Sequence, residues 1–206
     1  MIRARPSRAP TRCAGIDVGG RRKGFHVAVV QGNRRLLAGP RQLPTPGDVV
    51  DWLVEHRPVM VGVDSPCRLA ADGARSRPDE RRFAREVLSL RYTPDRAALA
   101  ASPAYYEWIA HGLELYVALD AAGLSAVECF PTACWTIWSG PRGRESRARW
   151  SARALAARQL AGVPEHLGQD GRDAIAAALT ALAYHRGRAR RIGDIVVPAP
   201  GRTHAR

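Results

Sequence analysis

Residues 59–66, Val-Met-Val-Gly-Val-Asp-Ser-Pro, form an apolar run too short for a helix and closed by Pro66. A run of this length and β-branched content marks a strand buried on both faces, which requires helices on both sides of a largely parallel sheet. Upstream, residues 13–18 (CAGIDV) and 25–31 (FHVAVVQ) are β-rich runs joined by Gly19-Gly20 and a basic tip. That pattern predicts a hairpin. Residues 34–43 complete a three-stranded meander. A helix opening at Thr45 or Gly47 and reaching about Glu55, stopped by Pro58, connects the meander to the buried strand.

From Ala71 to about Gly123 the chain reads as two helices, 78–90 and 103–120, separated by a loop that carries Asp95. Ser102 and Pro103 open the second helix, and Tyr105, Ile109, Leu113, Tyr116 and Val117 form its apolar stripe. A last core strand at 125–130 (SAVECF) precedes helices at 131–138, 146–161 and 170–185. Residues 186–206 are Arg-rich and offer one edge strand at most. Residues 1–12 read as a disordered basic arm and 201–206 as a loose tail. The expected fold is α/β: a ribonuclease H-like mixed five-stranded sheet with flanking helices, spanning 13–200 as one domain with a helical insertion at about 71–123.

With 46% apolar and 25% charged residues, the chain has the composition of a globular protein. No stretch reaches 18 consecutive apolar residues, and the basic N-terminus has no apolar segment behind it, so neither a membrane span nor a secretory signal is expected. The expected location is cytoplasmic. The net charge of +13 is weak evidence for a polyanionic partner, because of 32 basic residues only Lys23 is lysine, a bias that a GC-rich coding sequence produces. Their distribution says more. The positive charge concentrates in residues 1–12, 21–41, 142–158 and 186–206, and the remainder is net acidic. Basic flanks around an acidic centre suit a polyanion held by arginine while carboxylates hold metal. Cys13, Cys67, Cys129 and Cys134 include no C-x-x-C pair and read as reduced thiols rather than a zinc site.

Four acids stand at the ends of elements: Asp17 at the end of the first strand, Asp64 at the end of the buried strand, and Asp170 with Asp173 opening the last long helix. Glu128, near the end of the 125–130 strand, is a fifth. Ligands of open α/β sheets gather outside the carboxyl ends of parallel strands, and an i, i+3 pair shares one helix face. Several carboxylates in one pocket repel unless a cation joins them, and Mg²⁺ or Mn²⁺ suits an all-oxygen set. The expected chemistry is phosphodiester hydrolysis, with Arg77, Arg82, Arg85 and Arg91 contacting the nucleic acid. Each acid also has a simpler reading: Asp17 as a turn former before two glycines, Asp64 as a cap, Asp170 and Asp173 as a helix N-cap and first-turn acid.

The segments GIDVGG with KGFHVAVV, VGVDSPCRL, RPDERRFAREVLSLRYTP, VECFPTACW and GQDGRDAIAAALTALAY, in this order, resemble the family called domain of unknown function 429. Its members are described as predicted nucleases of ribonuclease H fold. The last segment is also similar to the final helix of Holliday-junction resolvases. The resemblance implies Asp17, Asp64, Asp170 and Asp173 as metal ligands and Glu128, in a Glu-x-x-Pro motif, as an auxiliary or alternative one. It leaves open which of Asp170 and Asp173 reaches the ion. Two other functions compete with a DNA or RNA nuclease: a non-catalytic nucleic-acid-binding or scaffold protein of the same fold, and a nucleotide-binding phosphotransferase, since GIDVGG also resembles the first phosphate loop of the actin and sugar-kinase type.

Overall fold

A computed structural model describes residues 10–199; the expected tail, and all but the last few residues of the expected arm, lie outside the described residues. β1 (Arg12–Val18), β2 (Phe25–Gln31) and β3 (Arg35–Leu43) form an antiparallel meander. The turn between β1 and β2 is closed by backbone bonds from Gly19 N to Gly24 O and from Lys23 N and Gly24 N to Gly20 O, each 2.9 Å. α1 (Pro46–His56) begins at Thr45, whose hydroxyl accepts from Asp48 N while Asp48 accepts from Thr45 N, a reciprocal cap that satisfies two otherwise orphaned amides.

β4 (Val61–Asp64) then pairs in parallel with β1. Between β4 and β5 (Ala126–Cys129) lie α2 (Pro78–Glu86), α3 (Arg96–Ala101) and α4 (Glu107–Ala121). Here the chain departs from the sequence expectation. Asp95 caps α3, accepting from Ala98 N at 2.8 Å, where a continuous loop was expected. α4 starts at Glu107 rather than Pro103, and its buried face is Ile109, His111, Gly112, Leu115 and Leu119. Tyr105 and Val117, expected on the apolar stripe, are 55% and 71% exposed. The turn at Ser102, which accepts from the amides of Tyr105 and Tyr106, ends one helix before the next begins and shifts the phase of everything after it.

α5 (Pro131–Ser139), α6 (Arg147–Ala156) and α7 (Gln169–His185) follow β5. The C-terminal segment forms two strands, not one edge strand: β6 (Ala189–Ile192) and β7 (Ile195–Pro198) turn back at Gly193, and β7 pairs in parallel with β5. Among the described residues the sheet therefore has seven strands instead of five, in the order β3-β2-β1-β4-β5-β7-β6. Its first five strands keep the ribonuclease H-like arrangement.

Two apolar cores sit on opposite faces. Ala14, Ile16, Val27, Val29, Val61 and Val63 pack toward α1 and α4, while Cys13, Ala28 and Val30 pack toward α5, α6 and α7. α7 is buried along most of its length, and its small residues allow an unusually close approach to the sheet. A Cβ on Gly15 would collide with the backbone of Ala174 and Ala178, and one on Gly62 with the backbone of Ala177. Only glycine on the strands and alanine on the helix permit that spacing. It fixes where the start of α7 stands above the ends of β1 and β4.

Candidate functional site

Side chains alternate across a strand, so the register of neighbouring strands decides which residues share a face. Asp17 is the register partner of Asp64 in β4 and of His26 in β2. These three side chains form a row across three strands on the face covered by α7. Asp170, in the first turn of α7, stands opposite: one ligand atom from each of Asp17, His26 and Asp170 lies within 4.8 Å of the other two. The four aspartates all line one open cleft of about 470 Å³, together with Lys23, Arg91, Trp108 and Arg147.

The charge in this cleft is unbalanced. Asp17 is 7% exposed, and its Oδ2 is buried with no hydrogen-bond partner among the described residues. Lys23 Nζ approaches that oxygen only to 3.8 Å while bonding Asp170 Oδ1 at 2.7 Å. Burial, and then the neighbouring Asp173 charge, push the Asp17 carboxyl up to about 7, with Lys23 opposing. Burial, followed by Asp17 and Asp173, holds the Asp64 carboxyl well above the usual carboxylate range. A cation supplied at the site would favour the charged form of both groups.

Asp173 differs from its neighbour three residues earlier. Its Oδ1 accepts from Trp135 Nε1 at 2.8 Å and its Oδ2 from Arg147 Nη2 at 2.9 Å. Gln169 Nε2 lies 3.0 Å from both oxygens. Those four contacts occupy the roughly four lone-pair positions of a carboxylate. Asp170 therefore faces the open cluster, and Asp173 anchors Arg147 and the helix start.

Glu128 does not join the cluster. Val63, not Asp64, is its register partner, so it points to the opposite face of the sheet. There Arg77 grips it with two bonds, Nη2 to Oε1 at 2.5 Å and Nη1 to Oε2 at 2.8 Å, and Cys67 N donates to Oε2 at 2.9 Å. Arg77, expected on the nucleic acid, is fully buried and also faces Glu80 at 3.3 Å. Arg82 is exposed but paired with Glu86 at 2.6 Å, and Arg85 is exposed and does not line the cleft. Of the four expected arginines only Arg91 reaches it.

Three residues were missing from the sequence reading: His26, Lys23 and Arg147. His26 was legible in principle, since a polar ring in the run FHVAVVQ breaks its apolar character, but its neighbour depends on the length of the turn before it. Lys23 is the one lysine in the chain. Burial lowers the His26 pKa, with Asp170 opposing.

The structure is similar to two of Thermus thermophilus RuvC. One, of the protein itself, is 19% identical with a TM-score of 0.47, covering 86% of this chain and 97% of that one. The other, in complex with a Holliday junction substrate, is 20% identical with a TM-score of 0.49, covering 86% and 96%. No curated protein sequence matches this one. A family model described as "Protein of unknown function (DUF429)" matches residues 15–196, and with nearly the whole described region inside that match, the chain belongs to the DUF429 family.

Proposed function

We propose that this protein is a metal-dependent nuclease that hydrolyses phosphodiester bonds of DNA or RNA, with a divalent ion held by Asp17, Asp64 and Asp170. One observation carries the reading: two in-register strand-end aspartates, one with an orphaned buried oxygen, face a third carboxylate across an open cleft with cations on its rim. The donor set fits Mg²⁺ or Mn²⁺, because hard ions take carboxylate oxygens and the buried charge otherwise lacks compensation. When bound, such an ion supplies a water made acidic enough to attack phosphorus and stabilises the leaving oxygen.

The chain's own residues do the rest. Asp17 and Asp64, fixed on adjacent strands, set the position of the reacting phosphate. Arg147, held by Asp173, and Arg91 neutralise non-bridging oxygens from the rim. Trp108 offers an apolar wall of the cleft. The partner is a nucleic acid, and the reaction needs no protein nucleophile.

The test is cleavage of single-stranded, duplex and branched DNA and RNA by the full chain with Mn²⁺ or Mg²⁺. The wild type is expected to cut at least one of them. Asp17→Asn is expected to lose at least about a hundredfold in rate, roughly 2.7 kcal/mol of barrier. Equal activity of the two proteins, or inertness of both accompanied by salt-sensitive binding, overturns the proposal.

A further inference from the structure

We infer that His26 supplies a nitrogen ligand to the ion held at Asp17 and Asp170, making a mixed nitrogen and oxygen site that selects Mn²⁺ over Mg²⁺. The inference rests on the carboxylate-held metal proposed above and extends it to a residue from a different strand and of a different chemistry.

The geometry comes first. His26 stands directly across from Asp17 in the β1–β2 ladder, on the same face, and a ring nitrogen lies within 4.8 Å of carboxylate oxygens of both Asp17 and Asp170. Two ligand atoms on one ion bound at about 2.1 Å are at most about 4.2 Å apart, so a modest shift of the side chains brings the three groups to one ion. Orphaned polar atoms come second. His26 Nδ1 and Asp17 Oδ2 are both buried and both lack a hydrogen-bond partner among the described residues. Buried polar groups are nearly always satisfied, and two orphans on facing residues call for a shared partner.

Two other histidines that are at least half-buried, His111 and His56, show what a structural imidazole does in this protein, while His166 and His185 are exposed. His111 Nδ1 lies 2.9 Å from Gly19 O and His56 Nδ1 lies 2.7 Å from Trp52 O. Each has found a backbone carbonyl. His26 has not, although its strand is flanked on both sides by paired neighbours. A neutral imidazole with a free lone pair is a ligand that Mg²⁺ disfavours and first-row transition ions accept, with affinity rising along the series from Mn²⁺. Lys23, whose ammonium bonds Asp170 at 2.7 Å, is the cation that an incoming ion would displace.

The experiment uses the full chain, stripped with chelator and titrated with Mn²⁺. Free Mn²⁺ is followed by its solution EPR signal, and the bound ion by electron spin echo modulation, which reports a directly bonded ¹⁴N. Mg²⁺ affinity is read by competition. The wild type is expected to show nitrogen modulation. His26→Gln is expected to lose it, to bind Mn²⁺ roughly tenfold more weakly and to change Mg²⁺ affinity by no more than about twofold. His26→Asn serves as a second variant should the glutamine protein fail to fold, with circular dichroism as the control. Bound Mn²⁺ without nitrogen modulation in the wild type, or modulation that survives in the variants, overturns the His26 assignment and leaves the carboxylate site standing. Absence of any Mn²⁺ binding removes the proposed nuclease site along with it.

Discussion

Each face of the central sheet holds acidic groups, and the pair Glu128 and Glu80 on one is treated in the opposite way to the pair Asp17 and Asp64 on the other. On the α2 side, Glu128 and Glu80 are matched by one fully buried arginine, Arg77, which bonds Glu128 through both terminal nitrogens. Thr93 completes the set, its amide and hydroxyl donating to Glu80. On the α7 side, Asp17 and Asp64 are held together by strand register, no arginine among the described residues hydrogen-bonds either of them, and an orphaned oxygen persists. The difference separates a carboxylate used to hold parts together from one kept available. A buried ion pair locks α2 to β5, whereas uncompensated acids hold free energy that an added cation can release.

Removing Arg77 strikes the paired side hardest. Arg77→Met leaves two buried carboxylates without their partner and is expected to cost about 3–5 kcal/mol of unfolding free energy in urea. Asp17→Asn is expected to cost nothing or to stabilise. Similar losses from both substitutions would erase the contrast between the faces.

The next effect is a pH dependence of opposite sign to the usual carboxylate case. Asp17 is raised to about 7 in the folded chain, against about 3.9 unfolded, so the folded form holds its proton more tightly. Stability attached to this group is fully present below about pH 4 and is lost as pH rises through about 7. In chelator, Asp17→Asn should therefore gain on the wild type by on the order of 2–4 kcal/mol between pH 4 and pH 8. Saturating Mn²⁺ should reverse the trend in the wild type. A pH-independent difference between the two proteins in chelator would remove the case for an uncompensated Asp17.

The smallest expected change concerns Lys23, the partial counter-charge on the acidic side. Its side chain is largely exposed, so its pairing with Asp170 is worth little, about 0.5–1 kcal/mol. Lys23→Ala should tighten Mn²⁺ binding by about two- to fivefold in calorimetry, because the ion no longer competes with an ammonium. Weaker binding in the variant would make Lys23 a partner of the ion rather than its rival.

Much of this contrast was readable from residue order. The runs ending in Asp17 and Asp64 announce themselves by apolar content and by the glycine or proline that closes them, and two such strand ends meet when the strands pair in parallel. Glu128 was misjudged because its face depends on the β4–β5 register, which aligns it with Val63, and no local signal sets that alignment across three intervening helices. Arg77 followed the same error: a surface role is the default for arginine, and only its buried partner shows otherwise. β6 escaped notice because its residues, Ala189–Ile192, lie within an Arg-rich stretch, so β7 reads as an edge although β6 covers its side facing away from β5. His26 was present in the run but gained meaning only through the six-residue turn that sets it across from Asp17.

The contact between Gly15, Gly62 and the alanines of α7 has a further consequence. Because main chain abuts main chain there, the gap spanned by Asp17, Asp64 and Asp170 is set by a ruler that side-chain drift elsewhere in the interior cannot lengthen. Descendants of this sequence can remodel the helices around the cleft, and with them whatever the cleft accepts, without recalibrating the distance on which the chemistry depends. A single methyl group at either glycine would undo that independence.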